Sequence, residues 1–209
     1  MSLFSNSPLY LITNRNISGL IHTRIARRAI AAGIKTIQLR EKHLPEKEIY
    51  KEALTVREIT KRHKVTFIIN DYINIALAVD ADGVHLGQED MPLKEARKIL
   101  GRQKIIGIST HTLRQAMEAR DAGADYIGFG PIFHTTTKDA GRPKGIRALR
   151  EIRRHINIPV VAIGGITWDN VNEALNSGAD AAAVASGILS GNIKTNLERF
   201  FEAINRGNS

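Results

Sequence analysis

The feature that most constrains the fold of this chain is an alternation that repeats from one end to the other. Short runs rich in β-branched residues are each followed by a longer segment with helical spacing. Eight such runs occur, at Leu9–Thr13, Thr36–Leu39, Val65–Ile69, Gly83–Leu86, Ile105–Ile108, Tyr126–Phe129, Val160–Ile163 and Ala182–Val184. A closed (β/α)₈ barrel requires eight strands, and about 200 residues is the lower limit of its length. The 209 residues are therefore predicted to form one α/β domain, a single (β/α)₈ TIM barrel over positions 1–209.

A weak internal repeat supports this interpretation. Ala31-Ala32-Gly33, the segment 121–125 (DAGAD) and the segment 176–180 (NSGAD) each stand just before an apolar run. Glycine at the end of a helix can take the left-handed conformation that terminates it, so these segments predict repeated helix-to-strand joints. An open doubly wound sheet has the same elements, but it favours a Gly-x-Gly-x-x-Gly turn after its first strand. The segment 14–19 has no such turn, which favours the barrel.

Composition and charge narrow the classes of function. The chain has no cysteine, which excludes disulfides and is compatible with a reducing cytoplasm. Residues 1–10 lack the pattern of a signal peptide, and no apolar run approaches the roughly 20 residues that cross a membrane. The net charge of +9 is spread along helical segments, which indicates first a solvated surface, second attraction of anionic substrates, and only third a nucleic acid. A cytoplasmic protein without membrane or nucleic-acid partners is expected.

Charged residues follow the predicted strands at the barrel end where active sites form. Gln38, Arg40 and Lys42 share one side of the second strand if that strand persists, and they would cradle a pyrophosphate there. The alternative is an edge cluster paired with nearby carboxylates. Asp71 and Asp90 follow the third and fourth strands, where two carboxylates would suit Mg²⁺. Taken alone, Asp71 is better explained as the N-cap of the helix that follows.

The remaining strand ends carry smaller polar groups. Ser109 is either a donor to a substrate or the N-cap of the helix that starts near Thr112. The polar loop that follows the sixth strand is predicted to close over the site and to bring Lys138 to a phosphate. Glycine-rich turns after the seventh and eighth strands, around Gly165 and Gly187, predict a phosphate site made by backbone N–H groups and a helix N-terminus. His85 lies within an apolar run and is interpreted as a core histidine rather than a metal ligand.

Taken together, these residues resemble the thiamine phosphate synthase family. The resemblance covers nearly the whole chain, and its motifs are Gln38-Leu-Arg40-Glu-Lys42, Ile-Asn70-Asp71, His85-Leu-Gly-Gln-Glu-Asp90, Gly-Ile-Ser109, Gly-Pro131-Ile-Phe-x-Thr135-x-Thr137-Lys138, Ile-Gly-Gly165-Ile and Ala185-Ser186. It implies a transferase that joins a pyrimidine diphosphate to a thiazole phosphate by a dissociative mechanism. The small-molecule substrates would be its partners, with Mg²⁺ as cofactor, and the sequence leaves a homodimer open.

The resemblance also implies a role for each matching position. The pyrimidine diphosphate would be held by Gln38, Leu39, Arg40, Glu41, Lys42, Asn70, Ser109 and Lys138. Of these, the catalytic residues would be Arg40, Lys42, Ser109 and Lys138. The thiazole phosphate would be held by Thr135, Thr136, Thr137, Gly165, Ala185 and Ser186. The metal ligands would be Asp71 and Asp90.

Two positions depart from the family's pattern. His134 stands where the family usually has proline, which could alter the stiffness of the closing loop. Ala185 replaces a bulkier aliphatic residue. The nearest rival is the thiazole tautomerase branch, which carries histidine where Pro131 stands and lacks the metal carboxylates, so Pro131, Asp71 and Asp90 favour the synthase. A non-catalytic RNA-binding protein is a remote alternative that would need a clustered basic face.

Overall fold

The structure, a computed structural model, describes residues 3–4, 7–135 and 141–207 and confirms the predicted barrel. Its eight strands are parallel and hydrogen-bonded in chain order, and the first and last strands pair to close the ring. They are β1 (Leu9–Ile12), β2 (Thr36–Leu39), β3 (Thr66–Asn70), β4 (Gly83–Leu86), β5 (Ile105–Thr110), β6 (Tyr126–Phe129), β7 (Val160–Ile163) and β8 (Ala181–Val184). Leu9 lies opposite Ala182 where the ring closes.

The helices pack around the outside of the strands. Within the described residues they are α1 (Arg15–Ser18), α2 (His22–Ala31), α3 (Glu46–Arg62), α4 (Ile73–Ala78), α5 (Leu93–Leu100), α6 (Leu113–Asp121), α7 (Gly145–His155), α8 (Val171–Leu175), α9 (Ser186–Leu189) and α10 (Ile193–Gly207). None of these helices combines the length and the apolar character needed to cross a lipid bilayer.

Alternate residues of β1, β3, β6, β7 and β8 belong to two separate hydrophobic clusters. In β1, Leu9 and Leu11 pack into the large core between strands and helices, whereas Tyr10 and Ile12 belong to a smaller cluster inside the barrel. This division follows from the two-residue period of a strand, which sends successive side chains to opposite faces. Side chains that point inward near the carboxyl ends of the strands can therefore reach a common site.

The structure explains the repeated segments at the helix-to-strand joints. Gly33, Gly123 and Gly178 all have positive φ, between 91° and 104°, as the sequence predicted for residues that end a helix. In two of the joints an aspartate follows. Asp125 accepts hydrogen bonds from the N–H of Ile106 at 2.7 Å and from Arg97, and Asp180 accepts equivalent bonds from Val160 and Arg153.

The same arrangement occurs at a joint that the sequence pattern did not reveal. Asp82, just before β4, accepts from the N–H of Phe67 at 2.8 Å and from Arg57 at 3.0 Å. Each of these carboxylates thus ties the start of one strand to the preceding helix, at the amino end of the barrel. Residues at that end serve stability, which leaves the carboxyl end available for a site.

The strand ends differ slightly from the predicted runs, in ways that matter for the site. β3 includes Asn70, which pairs with His85, and β5 continues through Ser109 to Thr110, which pairs with Phe129. The predicted runs stopped at the last apolar residue. Backbone pairing does not depend on that residue, because the ladder uses only N–H and C=O groups.

Candidate active site

A cavity of about 230 Å³ opens at the carboxyl end of the barrel. The last residues of several strands form its wall, and the side chains of Tyr10 and Tyr126 lie at the inner part of its lining. Predicted site residues that line it are Gln38, Arg40, Asn70, Ser109, Thr135 and Ala185. A shallower depression beside it is lined by Arg40, Lys42 and Ser186, among others. The structure therefore brings residues from at least five strand ends to one mouth.

The three predicted cradle residues do not lie on one continuous strand. β2 ends at Leu39, so the premise that the strand persists to Lys42 is wrong. Gln38 is buried and points into the cavity, whereas Arg40 and Lys42 lie in the loop that follows and border the adjacent depression. The two cations still border the same mouth. Glu41, which lies between them in the sequence, turns its side chain into the protein interior.

Glu41 and Leu39 were predicted to contact substrate, but the structure places both side chains away from the cavity. Leu39 belongs to the large outer core. Glu41 is buried, and its Oε1 accepts the N–H groups of Lys42 and His43 at 2.8 and 2.9 Å. Neither residue lines the cavity, and Glu41 borders only a small depression beside Arg40 and Lys42.

A buried cluster holds this turn in place. Nε2 of His22 lies 3.2 Å from Oε2 of Glu41, and its Nδ1 lies 2.8 Å from the hydroxyl of Thr13. That hydroxyl also accepts the N–H of Arg40 at 3.2 Å. Burial lowers the pKa of His22, with the carboxylate of Glu41 acting in the opposite direction. The cluster thus fixes the backbone that carries Arg40 and Lys42.

Glu41 also has a shifted pKa. Burial raises it, but hydrogen bonds from the backbone of His43, from His22 and from the backbone of Lys42 outweigh burial and leave the pKa below its usual value. A carboxylate whose pKa is lower in the folded state stabilises the fold above its unfolded pKa, and this contribution is lost as the pH falls through the folded value.

We therefore expect Glu41→Gln to lower the free energy of unfolding by about 1–3 kcal/mol at pH 7, because charge-assisted hydrogen bonds become neutral ones. The difference from the wild type should begin to shrink below about pH 4.5, where the unfolded wild-type carboxyl becomes protonated. Urea unfolding at pH 7, 5.5 and 4 measures it. Glu118→Gln, at an exposed position, is the control and should show no such trend. A difference that stays constant or grows in acid would contradict the role given to the carboxylate.

Asp71 and Asp90 lie side by side at the mouth. Burial raises the pKa of Asp71, and the neighbouring carboxylate of Asp90 raises it further, while a hydrogen bond from Lys42 acts against both. Lys42 Nζ forms an ion pair with Asp71 Oδ2, and Asp90 Oδ2 accepts the N–H of Gly87 at 2.6 Å. Two adjacent carboxylates repel each other unless a cation lies between or beside them.

The backbone of Asp71 is unusual as well. Its φ is +64°, a conformation that residues other than glycine seldom adopt. The N-cap alternative for Asp71 is wrong, because Tyr72 occupies the cap position of α4 and makes no side-chain cap bond. A backbone held in such a region points to a functional constraint on where the carboxylate lies.

Asn70 and Ser109 present polar atoms to the cavity. Asn70 is buried, and among the described residues its Nδ2 has no hydrogen-bond partner. Such an orphaned donor in the wall of a cavity fits a ligand acceptor. Ser109 does not cap α6, since Thr112 occupies that position and accepts the N–H of Gln115. Its Oγ instead lies 2.8 Å from Nε2 of His85.

The glycine turns after β7 and β8 reach the mouth, where Gly164 and Ala185 line the cavity. Gly165 has a φ of +66°, and a Cβ atom placed there would lie 2.3 Å from the carbonyl oxygen of His134. Within the described ranges the N–H of Gly165 donates no bond to another backbone group. Backbone N–H groups in the turns after strands 7 and 8 are the usual elements of a phosphate site in these barrels.

Three predicted residues fall outside the described residues: Thr136, Thr137 and Lys138. Conversely, sequence reasoning missed several residues that line the cavity, above all Tyr10, Tyr126 and Asn14. It also treated His85 only as a core residue, whereas His85 is buried and lines the cavity. Alternation within the strands could have indicated the tyrosines and the histidine, because polar rings that alternate with outward apolar residues must enter the barrel.

Comparisons with known proteins agree with this geometry. The profile of a family described as thiamine monophosphate synthase matches residues 9–188. A thiamine-phosphate synthase of Chloroflexus aurantiacus is 45% identical over 198 residues, which cover 94% of this chain and 91% of that protein. One of Methanocella arvoryzae is 48% identical over 198 residues, covering 94% and 93%. A solved structure, thiamine phosphate pyrophosphorylase from Pyrococcus furiosus, has a TM-score of 0.91 and 38% identity, with complete coverage of both chains.

Proposed function

The chain belongs to the thiamine monophosphate synthase family, and from that premise we propose that it joins a pyrimidine diphosphate to a thiazole phosphate. The products are thiamine phosphate and pyrophosphate, so the enzyme is a transferase of a pyrimidinylmethyl group. The observation that carries the proposal is the arrangement at the mouth, where Arg40 and Lys42 stand beside the paired carboxylates of Asp71 and Asp90.

The donor set fits Mg²⁺. Mg²⁺ is usually held by one or two carboxylates and completes its shell with water and substrate phosphates. Asp71 and Asp90 are such a pair, and groups of three or more histidine or acidic side chains that would suit other metals are absent from the described residues. When bound, Mg²⁺ supplies positive charge to the pyrophosphate of the substrate.

The chain's own residues have distinct parts in this chemistry. The bond between the pyrimidine's methylene carbon and the pyrophosphate breaks, and its electron pair leaves with the pyrophosphate oxygen. Arg40 and Lys42 stabilise the charge that accumulates there, as Lys138 does in the roles implied by the family. The thiazole nitrogen then donates its lone pair to the resonance-stabilised methylene carbon. No proton transfer is required at either step.

Binding of the two substrates divides between the two sides of the mouth. Gln38, Asn70 and Ser109 bind the pyrimidine, and the backbone of Gly165, Ala185 and Ser186 holds the thiazole phosphate together with Thr135, Thr136 and Thr137. Apolar side chains such as Ile12, Val161 and Ile163 line the inner cavity and exclude water, which would otherwise trap the cation. We further propose that the whole chain is one catalytic domain that acts in the cytoplasm on small molecules, without nucleic acid or membrane.

The test is an assay of the purified chain with both substrates and Mg²⁺. We expect thiamine phosphate and pyrophosphate in equal amounts, and no turnover when either substrate or Mg²⁺ is omitted. A tautomerase would instead convert one carboxylated thiazole phosphate isomer into the other and release no pyrophosphate. That result would overturn the proposal.

A further inference from the structure

A chain of hydrogen bonds crosses the inside of the barrel beneath the cavity. Nε2 of Gln38 lies 2.8 Å from the hydroxyl of Tyr10, which lies 2.9 Å from the hydroxyl of Tyr126. The Tyr126 hydroxyl is 2.9 Å from Nδ1 of His85, whose Nε2 is 2.8 Å from Oγ of Ser109. The chain therefore joins two residues on different walls of the cavity, Gln38 on β2 and Ser109 on β5.

The packing of the barrel excludes water from this series of hydrogen bonds and holds its side chains in place. Tyr10 and Tyr126 are almost completely buried, and Phe4 packs against both rings from below. Gly107 makes room for Tyr126, because a Cβ at that position would lie 2.0 Å from the Tyr126 ring. Burial raises the pKa of both tyrosines, so each hydroxyl stays protonated and has one hydrogen to donate.

With neutral links, the chain has only two consistent arrangements. If Gln38 donates from Nε2, Tyr10 must donate to Tyr126, and Tyr126 must donate to Nδ1 of His85. The imidazole then carries its hydrogen on Nε2 and donates to Ser109. In the reverse arrangement every donor becomes an acceptor. In a mixed arrangement, either one hydroxyl accepts from both neighbours and its own hydrogen has no acceptor in the series, or one pair has no hydrogen between its atoms. Either defect is costly in a buried site.

The two arrangements present opposite patterns to the cavity. In the first, which agrees with the placement of Nε2 of Gln38 toward Tyr10, the carbonyl oxygen Oε1 of Gln38 is left as an acceptor, and the hydroxyl hydrogen of Ser109 is left for donation. In the second, the amide NH₂ of Gln38 is left as a donor, and Ser109 spends its hydrogen on His85. The orientation of one group thus decides that of the other.

We propose that Tyr10, Tyr126 and His85 are positioning residues that couple Gln38 to Ser109, so that the two walls of the cavity recognise the substrate as one unit. This inference rests on the proposed function, because it assigns both walls to the pyrimidine diphosphate. An exocyclic amine on the ring donates to Oε1 of Gln38 and selects the first arrangement. Ser109 is then poised to donate to an acceptor of the same substrate. A ring with an oxo group in place of the amine selects the second arrangement and loses that donation.

The experiment is a double-mutant cycle carried out in two backgrounds. We measure kcat/KM for the pyrimidine diphosphate with the unchanged protein, Gln38→Ala, Ser109→Ala and the double variant. The same four measurements are then repeated with Tyr126→Phe added to each protein. With Tyr126 intact, the loss of kcat/KM in the double variant should differ by about 5-fold or more from the product of the two single losses. Tyr126→Phe keeps the ring but removes the hydroxyl. In that background the loss in the double variant should equal the product of the two single losses within about 2-fold.

Two controls separate coupling from packing. Tyr10→Phe breaks the same chain at another link and should abolish the deviation as Tyr126→Phe does. Phe4→Leu alters the packing of both tyrosine rings without removing a polar atom and should leave the deviation intact. If Tyr126→Phe lowers all four values together and the deviation persists, the tyrosine is merely structural and the proposal is overturned.

A ¹⁵N spectrum of His85 tests the proposal without activity. We expect a neutral imidazole with its hydrogen on Nε2, and a mixture of the two tautomers in Tyr126→Phe. A hydrogen on Nδ1 in the unchanged chain would overturn the assigned direction. If the unchanged protein makes no thiamine phosphate, the proposed function fails. In that case the spectrum alone decides whether the hydrogen bonds from Gln38 to Ser109 are coupled.

Discussion

Replacing Asp71 with asparagine is expected to lower kcat for thiamine phosphate formation by about 10²–10³-fold. The change keeps the size and the polarity of the side chain but removes one of the two adjacent negative charges at the mouth. The pyrophosphate then loses the positive charge that Asp71 and Asp90 would hold against it. Steady-state assays at saturating substrates measure the loss, and a titration with Mg²⁺ should show that more metal is needed for half-maximal activity.

Asp169→Asn is the matched control for this experiment. Asp169 is an exposed aspartate in the loop after β7, at the same end of the barrel. We expect it to retain nearly the activity of the unchanged chain, and both variants should unfold at similar urea concentrations. An Asp71→Asn variant with near-normal turnover and an unchanged Mg²⁺ requirement would show that this carboxylate does not hold the metal.

Gly165→Ala is expected to raise KM for the thiazole phosphate by about 100-fold or more, because the backbone that would hold the phosphate must move. The added Cβ would lie 2.3 Å from the carbonyl oxygen of His134, and the φ of +66° disfavours any residue other than glycine. KM for the pyrimidine diphosphate should change much less, since the residues proposed to bind that substrate lie on the other side of the mouth.

Gly101→Ala separates a local effect at the phosphate from general backbone strain. Gly101 has a similar φ of +72°, but it follows α5 and a Cβ there meets no atom within 4 Å. It should lower the stability of the barrel by about 1 kcal/mol and leave both KM values unchanged. If Gly165→Ala raises both KM values equally, the turn supports the whole mouth rather than the phosphate alone.

The fold was largely predictable because it depends on a simple alternation of short β-branched runs with longer helical segments. Eight β-branched runs, each followed by a helical segment, leave few arrangements other than a barrel, and the structure has eight strands within two residues of the predicted ends. The ends themselves were less predictable. Asn70 and Thr110 continue their strands although their side chains are polar, because neighbouring backbones decide the pairing.

The mouth of the site was predictable where position alone brings residues together. Residues that follow adjacent strands had to meet, which placed Asp71 beside Asp90. Arg40 and Lys42 follow the same strand, β2, and border the same depression. The direction of individual side chains was not predictable. Glu41 stands between two mouth residues in the sequence, yet it turns inward because a buried imidazole and two N–H groups offer it better partners than water.

The interior of the barrel was the least predictable part. Tyr10, Tyr126 and His85 come from three different strands, and only the closed ring brings their polar atoms within hydrogen-bonding distance. Alternation within each strand indicates that these side chains enter the barrel, but it does not predict which of them meet. Their contact depends on barrel closure and on a glycine that leaves space for one ring, which are long-range properties.

The central claim is that paired carboxylates and two cations at the mouth bind a metal together with a pyrophosphate. A crystal structure of the chain grown with Mg²⁺ and pyrophosphate tests it most directly. We expect one octahedral ion that shares oxygens of Asp71, Asp90 and the pyrophosphate at about 2.0–2.1 Å, with Lys42 moved from Asp71 to the phosphate beside Arg40. A pyrophosphate bound elsewhere, or an ion that touches neither carboxylate, would contradict the claim.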